Sequence, residues 1–127
     1  MAAFLTEPWF DAVRRVSALP ARPGASASFE LVVGGAPGGD VKSAWVVEDG
    51  TVRDATPGRA DAPDATLTTT WADAVRMQRG ELDPGAAFMQ GKLKVTGDMG
   101  AVLRVLPMTV TSEYESWRDE VASLTEF

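Results

Sequence analysis

The chain of 127 residues is 45% hydrophobic and 24% charged, has a formal net charge of −6, and contains no histidine and no cysteine. This length and composition predict a single globular domain over residues 1–127. The composition excludes Ser-His-Asp and Cys-His catalytic systems, disulfide bonds and Cys/His zinc sites, and the negative charge argues against nucleic-acid partners.

The N-terminal segment predicts a helix. Thr6 is its expected N-cap, Pro8 is tolerated in the first turn, and Pro20 and Pro23 are expected to end it. The apolar residues have helical spacing: Trp9, Ala12, Val13 and Val16. We therefore expect one face of this helix to pack on the rest of the domain.

Four strands are predicted next. Residues 26–33 and 41–48 alternate along the chain, which places Phe29, Leu31 and Val33 on one face of the first strand. The turn signal "DG" at 49–50 predicts that the following residues return as a third strand, and the β-branched run at 65–70 predicts a fourth. The loop "GGAPGGD" lacks the glycine spacings of nucleotide-binding loops and precedes a strand, so we interpret it as a plain connection.

The second half of the chain predicts two helices and a fifth strand. A helix begins at the cap Thr70 and ends at Gly80, and a shorter one begins at the cap Asp83 and ends at Gly91. Residues 92–97 then alternate, with Leu93 and Val95 inward and Lys92, Lys94 and Thr96 outward.

Two further helices complete the prediction. Asp98 caps a strongly apolar helix that Pro107 is expected to stop, and Ser112 with Glu115 forms a capping box for the last one. Hairpin strands followed by grouped helices predict an α+β fold: a five-stranded, largely antiparallel sheet covered on one face by helices.

The apolar side chains of this half have two explanations. They fill an ordinary core, or they also border an apolar ligand, because a helix that is apolar almost all round has to be covered on more than one side. Methionines suit the second explanation, since their thioethers adapt to ligands of different shape. The residues are Trp71, Val75, Phe88, Met89, Leu93, Val95, Met99, Val102, Leu103, Leu106, Trp117 and Val121.

Charged residues offer weaker hypotheses. Paired carboxylates such as Glu48 with Asp49 are typical of caps and turns rather than of acid/base catalysis, so we expect no catalytic residue and no metal site. The basic residues Lys92, Lys94 and Arg104 form either a solvated strand face or a patch for an acidic headgroup or a coenzyme A phosphate.

The run "FMQGKLKVTGDMG" at 88–100 resembles the signature of the sterol carrier protein type-two domain, F-M-x-G-K-[LI]-K-[VI]-x-G-[ND]-[ML]. Upstream, "DATLTTTWADAVRMQRGELDPGAAF" at 64–88 is similar to the same family's D-x-T-[LI]-T strand, its following helix and its G-x-[LM]-x-P turn. The resemblance extends over residues 26–106 and is continuous from Asp64 to Leu106.

This resemblance implies that the helices enclose an apolar tunnel for sterols, fatty acids, fatty acyl-CoA or other lipids. Gln90, the polar residue of the group, either bonds a ligand headgroup or caps backbone groups. The positions that the resemblance places in or beside the tunnel are Phe88, Met89, Gln90, Met99, Leu103 and Leu106.

The expected function is therefore non-enzymatic lipid binding or transfer with an apolar lipid as ligand and no cofactor. The alternative is a structural or dimerisation module, or an accessory module that docks to a lipid-metabolising enzyme. No apolar run approaches the roughly 20 residues of a bilayer span, and no secretory leader is visible, so we expect no stable membrane insertion and a cytoplasmic location. The bias toward Ala, Gly, Val, Arg and Asp, without Ile or Asn, indicates a GC-rich bacterial source.

Overall fold

The computed structural model describes residues 2–16 and 24–127, so the predicted helix stops at Pro20 and Pro23 lie outside the described residues. The elements follow the predicted order, with one additional short strand at each end. The strands are β1 (Ala2–Ala3), β2 (Ala27–Gly34), β3 (Val41–Glu48), β4 (Thr51–Pro57), β5 (Ala65–Thr70), β6 (Lys94–Gly97) and β7 (Thr125–Glu126). The helices are α1 (Glu7–Arg15), α2 (Trp71–Gln78), α3 (Pro84–Met89), α4 (Met99–Val105), a 3₁₀ helix (Leu106–Val110) and α5 (Ser112–Ser123).

The main sheet has five strands in the order β4-β3-β2-β5-β6. β2 pairs in parallel with β5, and the remaining neighbours are antiparallel. Asp49 and Gly50 both adopt positive φ angles, 49° and 80°, as a two-residue hairpin turn between β3 and β4 requires. The predicted α+β fold with a largely antiparallel sheet is confirmed.

One face of the sheet carries the core. Phe29 on β2 lies opposite Trp45 on β3 and Ala65 on β5, so the predicted period of two puts these apolar side chains on the same side. Helix α1 packs over β4, α2 packs over β5, and α4 packs over β2. The helices therefore form one layer above the inner face.

A separate two-stranded parallel sheet joins the chain ends. Ala2 pairs with Thr125 and Ala3 with Glu126. The sequence did not predict these strands, because two residues are too short to show a period, and only the folded structure brings them together.

The helix starts agree with the caps predicted from sequence at three positions. The side chains of Thr70, Asp83 and Asp98 each accept a hydrogen bond from the backbone N–H three residues further along the chain. Gly80 and Gly91 follow α2 and α3 with positive φ angles, 78° and 73°, which is typical of helix ends.

Two local predictions are corrected by the structure, and a third is confirmed. The Thr6 hydroxyl donates to the carbonyl of Ala3 instead of capping α1. Helix α5 is capped by Thr111, whose hydroxyl accepts from the N–H of Tyr114, so Ser112 is already helical. The predicted stop at Pro107 is confirmed, because α4 ends at Val105, and the proline ring fits the first turn of the 3₁₀ helix that follows.

Candidate functional site

A cavity of about 210 Å³ lies between the inner sheet face and the helix layer, and its wall is almost entirely apolar. The sheet contributes the inward positions that the period of two selects: Phe29, Leu31, Trp45, Val47, Val52 and Leu67. The segment before β2 adds Phe4, Leu5 and Trp9. A wall of this composition can shelter a hydrocarbon group from water.

The helix layer closes the other side of the cavity. Asp98 starts α4 at a defined residue, so that Val102 and Val105 share the helix face that is turned to the sheet. The 3₁₀ helix then adds Leu106 and Met108. Leu93, buried just before β6, completes this part of the wall.

The structure brings four of the residues proposed from sequence to the cavity wall: Leu93, Val102, Leu106 and Trp117. Five others pack elsewhere. Trp71, Val75 and Val95 are partly buried against the main core, Val121 is buried in it, and Phe88 is half-buried. Whether any of these nine side chains contacts a ligand stays a prediction.

The remaining four proposed residues are exposed. Met89 is 82% exposed and Leu103 is 57% exposed, Met99 is 41% exposed, and Gln90 lies at the surface after α3. The spacing of the apolar residues on α4 is helical, but the buried face is formed by Ala101, Val102 and Val105. Ligand contact by these exposed residues stays a prediction, and the structure places them outside the cavity wall.

Among the described residues, five polar side chains line the cavity. Thr69 on β5 and Thr109 in the 3₁₀ helix donate their hydroxyl hydrogens to the carbonyls of Lys92 and Leu106. Gln78, Tyr114 and Arg118 also line the cavity. These three residues were not predicted from the sequence, although Tyr114 has helical spacing with Trp117 and Val121, and Arg118 lies one helical turn after Tyr114.

The phenol of Tyr114 has an unusual pKa. Burial raises this pKa from 10.0 to about 12, the positive charge of Arg118 lowers it, and the negative charge of Asp83 raises it. Tyr114 is therefore a neutral hydrogen-bond donor at physiological pH. Its position also shows that Arg118 and Asp83 lie close enough to act on the same group.

Residues 2–16 and 24–127 also bear on two other kinds of site. No group of three or more metal-ligating side chains occurs within these ranges. None of the helices described there combines the length and apolar character that a membrane crossing requires. The cavity is thus the strongest candidate site in this part of the chain.

Comparison with known proteins places this geometry in a family. A model of the SCP-2 sterol transfer family matches residues 17–108. Sterol carrier protein 2 of Oryctolagus cuniculus is 35% identical over 81 residues, which cover 61% of this chain and 14% of that protein. The chain thus spans about one seventh of the length of this curated relative.

Solved structures agree with the fold. A crystal structure of sterol carrier protein 2 superposes with a TM-score of 0.67 at 21% identity, covering 91% of this chain and 98% of that one. The solution structure of palmitated SCP2L2 from Aedes aegypti has a TM-score of 0.55 at 22% identity, covering 69% and 76% of the two chains. Because the family model matches well over half of the residues, the chain belongs to the SCP-2 sterol transfer family.

Proposed function

We propose that the protein binds the hydrocarbon part of a lipid in the cavity between the sheet and the helices, and carries or presents it without chemical change. The observation that carries this proposal is the apolar cavity wall. Membership of the SCP-2 family supports lipid binding or transfer in general. Sterols, fatty acids and fatty acyl-CoA are the ligand classes proposed, and a cytoplasmic location stays a prediction.

The energetics support binding without a strong polar anchor. Each methylene group removed from water contributes about 0.8 kcal/mol. Ordering the lipid and the protein side chains opposes this gain. A chain of ordinary fatty-acid length therefore suffices for micromolar affinity, with broad selectivity among chain lengths.

The size of the cavity favours movement during binding. Its volume of about 210 Å³ is smaller than the roughly 300–1,000 Å³ of pockets that hold drug-sized ligands. We expect the layer formed by α4, the 3₁₀ helix and α5 to move outward when a whole lipid enters. The 3₁₀ helix is the expected hinge, because its hydrogen-bond geometry is weaker than that of an α-helix.

Two substitutions on α4 test the proposal. Val102→Phe inserts a larger side chain into the cavity, whereas Leu103→Phe makes a similar addition on the exposed side of the same helix. Palmitate is the first ligand to test, because the Aedes aegypti relative is described as palmitated. We expect Val102→Phe to weaken palmitate binding about tenfold, or about 1.4 kcal/mol, and Leu103→Phe to change it less than twofold.

The measurement is displacement of a fluorescent fatty acid, with native mass spectrometry of the purified protein to detect lipid that copurifies. Circular dichroism confirms that both variants are folded. Equal affinity of the two variants would contradict binding in this cavity. Failure of both palmitate and a sterol to bind at tens of micromolar would contradict lipid binding and favour a structural or accessory module.

A further inference from the structure

Three polar side chains lie together on the largely apolar cavity wall. Tyr114 and Arg118 are one turn apart on α5, and Gln78 approaches from α2, where its side-chain nitrogen donates to the backbone carbonyl of Arg118 at 3.0 Å. We call these three residues the α5 polar cluster. They are the residues most able to select a headgroup, because the rest of the wall offers few polar contacts.

Each member of the α5 polar cluster has hydrogen-bonding capacity left. Nε and Nη2 of Arg118 both donate to Oδ1 of Asp119 at 3.0 Å. No described residue bonds the remaining guanidinium nitrogen Nη1, the hydroxyl of Tyr114 or Oε1 of Gln78. Two donors and one acceptor are thus available to a molecule in the cavity.

The positive charge of this cluster is less exposed to solvent than the carboxylates near it. The Arg118 side chain is only 15% exposed, whereas its partner Asp119 is 63% exposed and is screened by solvent. Asp83, the other nearby carboxylate, is exposed and accepts the N–H of Ala86 as the cap of α3. Arg118 is therefore the charged residue of the cavity wall, and its free nitrogen Nη1 can donate a charge-assisted hydrogen bond to a carboxylate.

We propose that the α5 polar cluster binds the carboxylate of a fatty acid whose hydrocarbon chain occupies the cavity, with Arg118 and Tyr114 donating to the two carboxylate oxygens. This inference rests on the proposed lipid-binding function. It assigns the headgroup site to the last helix, whereas Lys92, Lys94 and Arg104 do not line the cavity. The protein would accordingly prefer a free fatty acid to an alcohol of equal chain length.

The experiment compares palmitate with hexadecanol, which have the same number of carbon atoms and different headgroups. Arg118→Gln removes the charge and keeps a polar side chain, and Tyr114→Phe removes only the hydroxyl. Arg104→Gln is the matched control, because it makes the same charge change at an exposed position on α4. Displacement of a fluorescent alcohol gives both affinities on one scale.

We expect the wild-type protein to bind palmitate at least about tenfold more tightly than hexadecanol. Arg118→Gln should remove most of that preference while hexadecanol binding changes less than twofold, and Tyr114→Phe should reduce it about threefold to tenfold. Arg104→Gln should leave the preference unchanged. Arg118→Lys should restore part of it, because the charge returns but a lysine ammonium cannot bond Asp119 through two nitrogens and keep a third nitrogen free for the ligand.

The outcomes separate the two proposals. Equal binding of palmitate and hexadecanol to the wild-type protein overturns the headgroup site while leaving lipid binding intact. An equal loss for both ligands in Arg118→Gln gives Arg118 a structural role and also overturns it. If neither ligand binds the wild-type protein, the lipid-binding function itself fails. Should Arg118→Gln not fold, Tyr114→Phe decides by the same comparison.

Discussion

The indole nitrogen of Trp9 donates a hydrogen bond of 2.8 Å to the hydroxyl of Thr125, and this bond joins the first helix to the last strand. The Thr125 hydroxyl in turn donates to the carbonyl of Val121 at 2.7 Å. Trp9 and Thr125 are both buried. Because the same Trp9 ring also lines the cavity, this bond connects closure of the chain ends to the shape of the site.

Removal of the Thr125 hydroxyl should destabilise the protein. Thr125→Val keeps the shape of the side chain but leaves the buried indole N–H without its acceptor, at a cost of about 1–3 kcal/mol. Urea unfolding followed by tryptophan fluorescence measures the change in the free energy of unfolding. Thr96→Val, on the exposed face of β6, is the control and should change it by less than about 0.5 kcal/mol. Similar values for both variants would show that the bond contributes little.

Titration of Tyr114 should reduce stability only in strong alkali. This residue is the one tyrosine of the chain, so phenolate absorbance reports its pKa directly, and we expect about 12 in the folded protein against 10.0 unfolded. Between these two pKa values the unfolded chain binds fewer protons than the folded protein does. The contribution of Tyr114 to the free energy of unfolding is therefore complete below about pH 10 and is lost as the pH rises through 12. The loss is about 3 kcal/mol.

Tyr114→Phe isolates this effect from the titration of lysines. The difference in unfolding free energy between the wild-type protein and Tyr114→Phe should be constant below about pH 10 and should then fall. A difference that stays constant through pH 12 would contradict the raised pKa. It would mean that the phenol is better hydrated than its position in the cavity wall implies.

Gly80 lies directly against the guanidinium of Arg118. A methyl group built on Gly80 would lie 2.7 Å from Cζ and Nη2 of Arg118, whereas one on Gly91 would meet nothing within 4 Å. Both glycines have positive φ angles, so Gly80→Ala and Gly91→Ala should each cost about 1 kcal/mol of stability. Only Gly80→Ala should also displace the guanidinium, which can move because it is the end of a flexible side chain.

Palmitate binding distinguishes these two glycine variants. We expect Gly80→Ala to lower the affinity several-fold and Gly91→Ala to leave it within about twofold, measured by displacement of a fluorescent fatty acid. Hexadecanol binding should be similar in both. Identical palmitate affinities would show that the position of Arg118 over Gly80 is unimportant for the headgroup.

The cap of α4 should affect both stability and the cavity. Asp98→Ala removes the acceptor for the N–H of Ala101, at a cost of about 0.5–2 kcal/mol. Saturating palmitate should recover part of the lost thermal stability if α4 closes over the ligand. Asp61→Ala, in an exposed loop, is the control for loss of a carboxylate. An equal effect of both substitutions would show that the cap does not hold α4 in place.

Local patterns in the sequence predicted much of the fold. The caps Thr70, Asp83 and Asp98 act within three residues, and the hairpin turn at Asp49 and Gly50 depends on those two backbone conformations. The resemblance over residues 26–106 also predicted the family that the match over residues 17–108 shows. These features are encoded by neighbouring residues, so they can be recognised without knowledge of the folded structure.

The cavity wall was less predictable, because it depends on how separate elements pack. The spacing of Met99, Val102, Leu103 and Leu106 is equally helical whichever side meets the sheet, and only packing buries Val102 while leaving Leu103 exposed.

Arg118 is the clearest case of what tertiary structure decided. On sequence alone it is a charged residue beside an apolar stripe. Its contact with Gly80, its bond to Asp119 and the approach of Gln78 place it on the cavity wall instead. By itself the sequence determined most of the elements, their order and the family, since these depend on short-range spacing. Tertiary structure decided which side chains face the cavity, because that depends on contacts between residues far apart in the chain.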